Sequence, residues 1–327
     1  MVIVGGSGFI GTRLCARLKL KEKSFKILDK VQSLDFQSLC VYADVGNPID
    51  PRLLLNAGVI VNLAAEHRDD VTPKSLYGRT NVEGARNICI AARQSGVQKI
   101  IFTSSVAVYG FAPVGTNEGG NINPFNDYGR TKWEAEKIYR EWQLEDPENR
   151  TLIVIRPTVV FGEKNRGNVY NLLKQISSGK FVMIGSGFNR KSLAYVENVA
   201  AFIEHSFSFK PGLHIYNYID KPDFQMNQLV SHVNKLLGKK PEVGIRIPYS
   251  IGITIGKVFD LIALMSRKKL SISSVRIRKF CANSVYETAI GATGFNPPVH
   301  LIDAIAKTVQ YEFMEKDRGN EQVFFSE

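Results

Sequence analysis

The stretch Val4-Gly5-Gly6-Ser7-Gly8-Phe9-Ile10-Gly11 follows the apolar start Val2-Ile3-Val4 and precedes a run of helical periodicity. It limits the folds open to this chain more than any other segment. Glycines at three-residue spacing between a strand and a helix let the backbone approach a pyrophosphate that side chains would block. The helix N-terminus that follows offers free N–H groups and a positive dipole to that pyrophosphate. A tight glycine turn without a ligand is the bland alternative, and the strand-before, helix-after context weighs against it.

The rest of the first half agrees with this placement. Short runs rich in β-branched residues, Phe25–Leu28, Cys40–Tyr42, Val59–Leu63, Lys99–Thr103 and Leu152–Ile155, alternate with helical patterns. Such alternation predicts an α/β fold, a Rossmann-type doubly wound parallel sheet with helices on both faces. After Arg156-Pro157 the rhythm changes, with helices expected near Val169–Ser177 and Asn227–Leu237 and a strand near Leu193–Val196. A dinucleotide-binding domain is therefore expected over 1–162, receiving part of 189–220. A smaller C-terminal α/β substrate domain, facing a membrane, is expected over 163–188 and 221–327. At 327 residues the chain is long enough for both, and 44% hydrophobic with 22% charged residues is an ordinary globular balance. The four cysteines, Cys15, Cys40, Cys89 and Cys281, form no C-x-x-C pair and have no histidines at ligand spacing, so neither a metal site nor a redox motif is expected. A signal peptide is not expected either, because Met1 runs straight into the first strand.

Asp29 closes the second strand, where a carboxylate accepts the ribose hydroxyls of NAD and repels the 2′-phosphate of NADP. Asp44, after the third strand with Val45, suits the adenine amine, although an exposed turn aspartate looks the same. Tyr128 and Lys132 form a Y-x-x-x-K pair, and i,i+4 spacing puts both on one helix face. A phenol with a pKa of about 10 needs a nearby ammonium to serve as a base. Tyr170 and Lys174 repeat the spacing, but in Asn168-Val169-Tyr170-Asn171-Leu172-Leu173 a packing helix is the better expectation. Ser105 lies in Thr103-Ser104-Ser105-Val106-Ala107-Val108-Tyr109-Gly110, at the carboxyl edge of the fifth strand, where open α/β sheets bind ligands.

Taken together, the glycine loop, Asn62-Leu63-Ala64-Ala65, the Thr-Ser-Ser-x-x-Val-Tyr-Gly run, Y-x-x-x-K and Arg156-Pro157 resemble the extended short-chain dehydrogenase/reductases, the NAD-dependent epimerases and dehydratases. The resemblance implies Ser105, Tyr128 and Lys132 as the catalytic set. It implies NAD held by Gly5, Gly8, Phe9, Ile10, Gly11, Asp29, Asp44, Val45, Leu63, Ala64, Ala65, Tyr128, Lys132 and Pro157. Dehydratases of this family carry an acidic pair just after the Ser/Thr. Val106 and Ala107 stand there, which favours 4-epimerisation, an isomerase activity. Longer strings, Ala64-Ala65-Glu66-His67-Arg68-Asp69-Asp70-Val71, Arg166 to Leu173, Tyr216-Asn217-Tyr218 and Ser273 to Ala282, resemble more narrowly the bacterial epimerases of O-antigen assembly, a part of lipopolysaccharide synthesis. Those enzymes interconvert N-acetylglucosaminyl- and N-acetylgalactosaminyl-diphospho-undecaprenol. Lys191, beside Arg190, stands where the soluble UDP-hexose epimerases place a diphosphate-binding Arg, and Lys lacks the bidentate fork. His67, Arg68, Arg166, Asn168, Arg190 and Lys191 are the substrate candidates.

The net charge of +11 calls for an anionic partner. No window holds about 20 apolar residues, and the longest, Ile251 to Met265, is interrupted by Lys257 and Asp260, so a spanning helix is not expected. Instead Phe259 and Ile262, on an apolar helix, and Arg267, Lys268, Lys269, Arg276, Arg278 and Lys279 after it have the pattern of a peripheral anchor on an anionic membrane. A core helix beside a solvated basic strand is the alternative. Nucleic acid is not an expected partner: Val275-Arg276-Ile277-Arg278 would set both arginines on one strand face, but without stacking aromatics. The expected partner is a polyprenyl-diphosphate-linked amino sugar at the inner face of the bacterial cytoplasmic membrane, and a homodimer stays open. A soluble UDP-hexose or UDP-N-acetylhexosamine 4-epimerase is the second expectation, and a non-catalytic NAD-binding membrane scaffold the third.

Overall fold

The computed structural model describes residues 1–68, 71–266, 273–315 and 321–325. In chain order the strands are β1 (Val2–Val4), β2 (Lys26–Asp29), β3 (Cys40–Tyr42), β4 (Ile60–Asn62), β5 (Lys99–Thr103), β6 (Thr151–Pro157), β7 (Val159–Phe161), β8 (Met183–Ile184), β9 (Arg190–Tyr195), β10 (Gly212–Tyr218), β11 (Asp220–Gln225) and β12 (Arg246–Ile247). The helices are α1 (Phe9–Leu20), α2 (Ser75–Tyr77), α3 (Gly84–Ser95), α4 (Asp127–Leu144), α5 (Asn168–Ser177), α6 (Val196–His205), α7 (Met226–Leu236), α8 (Tyr249–Ser266), α9 (Ser274–Cys281) and α10 (Leu301–Phe313).

Seven strands form one sheet in the order β10-β6-β5-β4-β1-β2-β3, every neighbouring pair parallel. The order reverses at β1 and β4, and this switch point opens the crevice in which doubly wound sheets bind ligands. Both faces are covered. One carries Ile88, Cys89, Ala92, Tyr139 and Trp142 from α3 and α4 against Val2, Ile60, Ile100 and Leu152. The other carries Leu14, Leu18, Val199 and Phe202 from α1 and α6 against Ile3, Ile27, Val61 and Ile153. Apolar side chains alternate between these faces, which accounts for the nearly unbroken hydrophobic strands.

A second body holds the β11-β9-β7 sheet, with α5, α7 and α10 packed around Phe161, Leu173, Leu193, Tyr195, Leu229 and Ile305. Phe9 and Ile10, at the start of α1, pack on the same cluster. The C-terminal residues thus press directly on the helix that begins at the glycine loop.

Helix α8 departs from the sequence expectation. It runs 18 residues, with mean hydropathy 1.4, and 11% of it is buried. At 1.5 Å per residue it is about 27 Å long, so by length and composition it can cross a membrane, although it was expected to be too short. Its buried residues are Gly252 and Gly256, and each marks a close approach. A Cβ on Gly252 would lie 2.5 Å from the Ile184 side chain, and one on Gly256 would lie 2.8 Å from Cα of Ser274. Glycines four apart therefore form the seam that fastens α8 to β8 and α9.

The segment Val275-Arg276-Ile277-Arg278 is helical, so the one-faced strand of arginines is corrected. Ser273 Oγ accepts the Arg276 N–H at 3.2 Å as an N-cap, and Ile277 is buried against α8. A cap and one buried apolar contact outweigh a four-residue alternation. Arg276, Arg278 and Lys279 are exposed, while Arg267, Lys268 and Lys269 lie outside the described residues.

Candidate functional site

The loop between β1 and α1 is built by close backbone contacts, which at Gly5 and Gly11 admit only hydrogen. Gly5 has φ +76°, and a Cβ there would sit 2.5 Å from the Ala64 nitrogen. A Cβ on Gly11 would sit 2.5 Å from the Gly5 carbonyl oxygen, so loop and helix touch backbone to backbone. At Gly8 the nearest atom to an added Cβ is that same oxygen, at 3.3 Å. Gly8 is also the N-cap of α1, with no side-chain cap and no acid in the first turn. The exposed N–H groups and the dipole are therefore available to a pyrophosphate. Asp29 closes β2 and accepts the N–H groups of Ser7 and Val31, both at 3.0 Å, which ties the glycine loop to the strand end where a ribose would lie. This cradle fits NAD.

The other cofactor candidates divide. Leu63, Ala64 and Ala65 lie half-buried after β4, and the Asn62 side chain accepts the Ala64 N–H at 3.0 Å. Pro157 is buried at the end of β6. Asp44 accepts the Gly46 N–H at 2.9 Å and pairs with Arg79 at 2.8 Å, so its carboxylate already closes a turn. Val45 is buried in the α3-side core, while the Phe9 ring meets Phe324 at 5.7 Å.

Across the sheet edge, α4 begins at Asn126, whose side chain accepts the Gly129 N–H at 2.9 Å. This cap presents Tyr128 and Lys132 on one face. Burial pushes the Tyr128 phenol up to about 12, and a hydrogen bond with Ser105 pulls it back. Lys132 is 1% exposed, and its ammonium donates to the Thr103 carbonyl at 2.7 Å and lies 4.7 Å from the centre of the Phe102 ring. Burial pulls Lys132 down to about 7, with the Glu136 charge opposing that shift. Ser105, just past the end of β5, thus shares a hydrogen bond with Tyr128, and Tyr128 and Lys132 lie on one face of α4, with the Lys132 ammonium at the end of β5.

His67 lies on the loop after β4 with its side chain exposed; desolvation on the protein-facing side of its ring lowers its pKa, as the Lys132 charge also does, while the Ala65 backbone and Glu66 favour its protonated form. Its loop is held by Asn81, whose side chain bonds the Glu66 N–H at 2.9 Å, the Glu66 carbonyl at 3.0 Å and the Thr131 hydroxyl at 2.9 Å. Asn81 lies in a π-helical segment, Gly78–Glu83. Sequence pattern did not single it out, because a π-turn inside a helix leaves no periodic signature. Beside it, a cleft of about 400 Å³ lined by Val71, Lys74, Tyr77, Phe125, Asn126 and Asp127 opens at the start of α4.

The remaining substrate candidates are dispersed. Arg68 is exposed and lies 3.5 Å from Glu66. Arg166 pairs with Glu312 at 2.9 Å and stacks over Tyr170 at 4.2 Å, so its guanidinium is already engaged. Asn168 is exposed at the start of α5, and Arg190 is exposed at the start of β9. Lys191 donates to the Lys279 carbonyl at 2.6 Å, and burial pulls it down to about 8. That bond joins β9 to the basic helix α9. Lys279 in turn lies 4.8 Å from the centre of the Phe125 ring, three residues before Tyr128.

Residues 1–217 match the family model described as the NAD dependent epimerase/dehydratase family. The chain is 45% identical over 324 residues, 98% of its length and 97% of the relative's, to the N-acetyl-α-D-glucosaminyl-diphospho-ditrans,octacis-undecaprenol 4-epimerase of Escherichia coli O157:H7. It is 29% identical to the UDP-glucose 4-epimerase of Vibrio cholerae, covering 82% of this chain and 84% of that one. Among solved structures, MoeE5 in complex with UDP-glucuronic acid and NAD superimposes with a TM-score of 0.74 at 21% identity, over 95% of this chain and 97% of that one. The UDP-glucuronic acid 4-epimerase of Bacillus cereus in complex with NAD gives 0.72 at 18%, over 95% and 97%. These two likenesses concern the fold.

Proposed function

The chain belongs to the NAD dependent epimerase/dehydratase family, and from that premise we propose that it interconverts N-acetylglucosaminyl- and N-acetylgalactosaminyl-diphospho-undecaprenol by NAD-dependent 4-epimerisation. The relative that shares 45% of its residues carries that substrate in its name. The chemistry that bound NAD supplies is reversible acceptance of hydride from C4 of the sugar. Gly5, Gly8, Gly11 and the start of α1 would hold its pyrophosphate, and Asp29 its ribose. Tyr128 takes the C4 hydroxyl proton as the sugar is oxidised and returns it when the 4-keto sugar, turned over, is reduced on its other face. Ser105 fixes the phenol by the hydrogen bond the two share. Lys132 as an ammonium favours the phenolate, which burial alone opposes.

The observation that carries a lipid-linked substrate is the α8–α9 hairpin. Ile251, Ile255, Val258, Leu261, Ile262, Leu264 and Met265 are exposed on α8, with Phe259 half-buried, and Arg276, Arg278 and Lys279 are exposed on α9. An apolar helix beside a basic one matches hydrocarbon beside anionic headgroups and a diphosphate. Lys279 links that surface to Phe125 at the mouth of the cleft. On this reading the protein lies on the inner face of the cytoplasmic membrane and draws its substrate from it.

Purified protein offered the same sugar linked to UDP and to polyprenyl diphosphate provides the test. Turnover of the lipid-linked form at least tenfold above the UDP form is expected. Robust epimerisation of the UDP-sugar alone would replace this reading with that of a soluble nucleotide-sugar epimerase.

A further inference from the structure

Glu136 sits one helical turn beyond Lys132, so Tyr128, Lys132 and Glu136 share one face of α4 at successive i,i+4 positions. It is fully buried and is gripped from two other elements. Arg156 of β6, 1% exposed, binds both carboxylate oxygens, with Nε to Oε1 at 2.9 Å and Nη2 to Oε2 at 2.6 Å. Ser104 at the end of β5 donates its hydroxyl to Oε1 at 2.6 Å. Arg140 adds a contact at 3.3 Å. Arg156 also donates to the Tyr109 hydroxyl at 2.7 Å, which donates to Asn217 of β10 at 2.8 Å.

We propose that Glu136 is a positioning residue for the reaction: it fixes the strand end that carries Ser105 against the helix that carries Tyr128, and its carboxylate holds Lys132 as an ammonium. The inference rests on Tyr128 and Lys132 being the proton-handling pair. Two physical points support it. Ser104 and Ser105 are adjacent, so the bond from Ser104 to Glu136 sets the register between β5 and α4 at the reacting end. Then, a buried ammonium is costly unless a negative charge lies close. The Lys132 ammonium touches the Thr103 carbonyl and the Phe102 ring from β5, and charge acts on it from Glu136 on its own helix and couples it to His67 on the loop after β4. Of these, Glu136 is the anion that opposes the effect of burial on Lys132.

The test is the pH profile of turnover on lipid-linked N-acetylglucosamine, measured with the full chain carrying its cofactor. Removing the negative charge makes the ammonium easier to lose, so the limb on which Lys132 gives up its proton, already near neutral pH in the wild type, moves to lower pH. Glu136→Gln should shift that limb down by about one pH unit or more. Glu136→Asp, which keeps the charge, should restore most of the wild-type profile. A Glu136→Gln/Arg156→Gln double variant keeps a neutral hydrogen-bonded pair should the single change fail to fold, and it should narrow the profile in the same sense. Coincident limbs in the Gln and Asp variants, or loss of folding in all three, would reduce Glu136 to a packing element and overturn the proposal. Tyr128→Phe in the same assay separates the two levels: if it stays active, the underlying assignment of the pair fails instead.

Discussion

Lys132 points its ammonium at the main-chain carbonyl of Thr103, 2.7 Å away, in a place where the side chain is 1% exposed. A lysine held there costs folding stability, a cost that its proposed role beside Tyr128 accounts for. Burial pulls its pKa from 10.5 down to about 7. The unfolded chain therefore binds more protons than the folded one between those values. Stability contributed at this position accordingly rises with pH across that window, and the penalty is fully present below about pH 7.

Lys132→Met tests this. The variant should lose turnover by at least about 100-fold, as expected when a base loses the charge that activates it. It should nonetheless melt higher than the wild type at pH 6, by an amount that shrinks toward pH 10. Each pH unit of depressed pKa corresponds to about 1.4 kcal/mol, set against the roughly 1 kcal/mol lost with the Thr103 bond. Thermal melts of the cofactor-free protein at pH 6, 8 and 10 supply the check. A variant less stable than wild type at pH 6 would show that Lys132 is not strained.

Tyr128 and Tyr170 share a spacing to lysine but not a setting. Tyr128 shares a hydrogen bond with Ser105. Tyr170 stacks on Phe313, with ring centroids 5.7 Å apart, under the Arg166 guanidinium. Tyr128→Phe should lower turnover at least about 100-fold and leave NAD bound, while Tyr170→Phe keeps its ring contacts and should stay within a few-fold of wild type. Kinetics of the two purified variants, with NAD content measured after denaturation, decide the matter; equal losses would undo the choice of Tyr128.

How much of this was legible in the chain depended on range. The glycine loop, Asp29 and the Tyr128–Lys132 pair are local signals: each needs only a strand end or one helix face, and all three lie on the elements that the periodicity predicts. Glu136 and Arg156 are 20 residues apart and meet only because β6 lies beside β5 under α4. In the sequence, Glu136 is one more acid on a charged helix. Asn81 was hidden by the π-turn that aims it. The four-residue alternation at Val275–Arg278 was misleading because Ser273 caps a helix there and Ile277 has α8 to pack on.

Gly11→Ala should empty the cofactor site. The added methyl would meet the Gly5 oxygen at 2.5 Å and the Gly6 Cα at 2.6 Å, both backbone atoms that cannot swing aside. Separating α1 from the loop costs roughly 1–3 kcal/mol by analogy with overpacked cores, and it would displace the N–H groups proposed to hold the pyrophosphate. Denaturing the wild type should release NAD or NADH, and denaturing the variant should release several-fold less. Full retention of dinucleotide in the variant, or chiefly NADP from the wild type, would contradict the cradle described here.

The α8–α9 hairpin should hold the protein on anionic vesicles. A chain lying on the surface would come off in high salt or alkaline carbonate, whereas a spanning helix would stay, so extraction distinguishes the two uses of an 18-residue apolar helix. Release is expected. Each Lys or Arg near an anionic surface contributes about 1 kcal/mol, so replacing Arg276, Arg278 and Lys279 with Gln should weaken vesicle binding by about 100-fold at low salt. Leu261→Ser with Met265→Ser removes exposed apolar area while leaving the Gly252 and Gly256 seam intact. It should weaken binding in neutral vesicles too, where the basic residues add little. Neither set touches Tyr128 or the glycine loop, so turnover of a short-chain, water-soluble diphosphate-linked sugar should fall far less than turnover of the long-chain substrate in membranes. Wild-type vesicle binding that neither set reduces would remove the hairpin from the membrane and leave the lipid substrate without its dock.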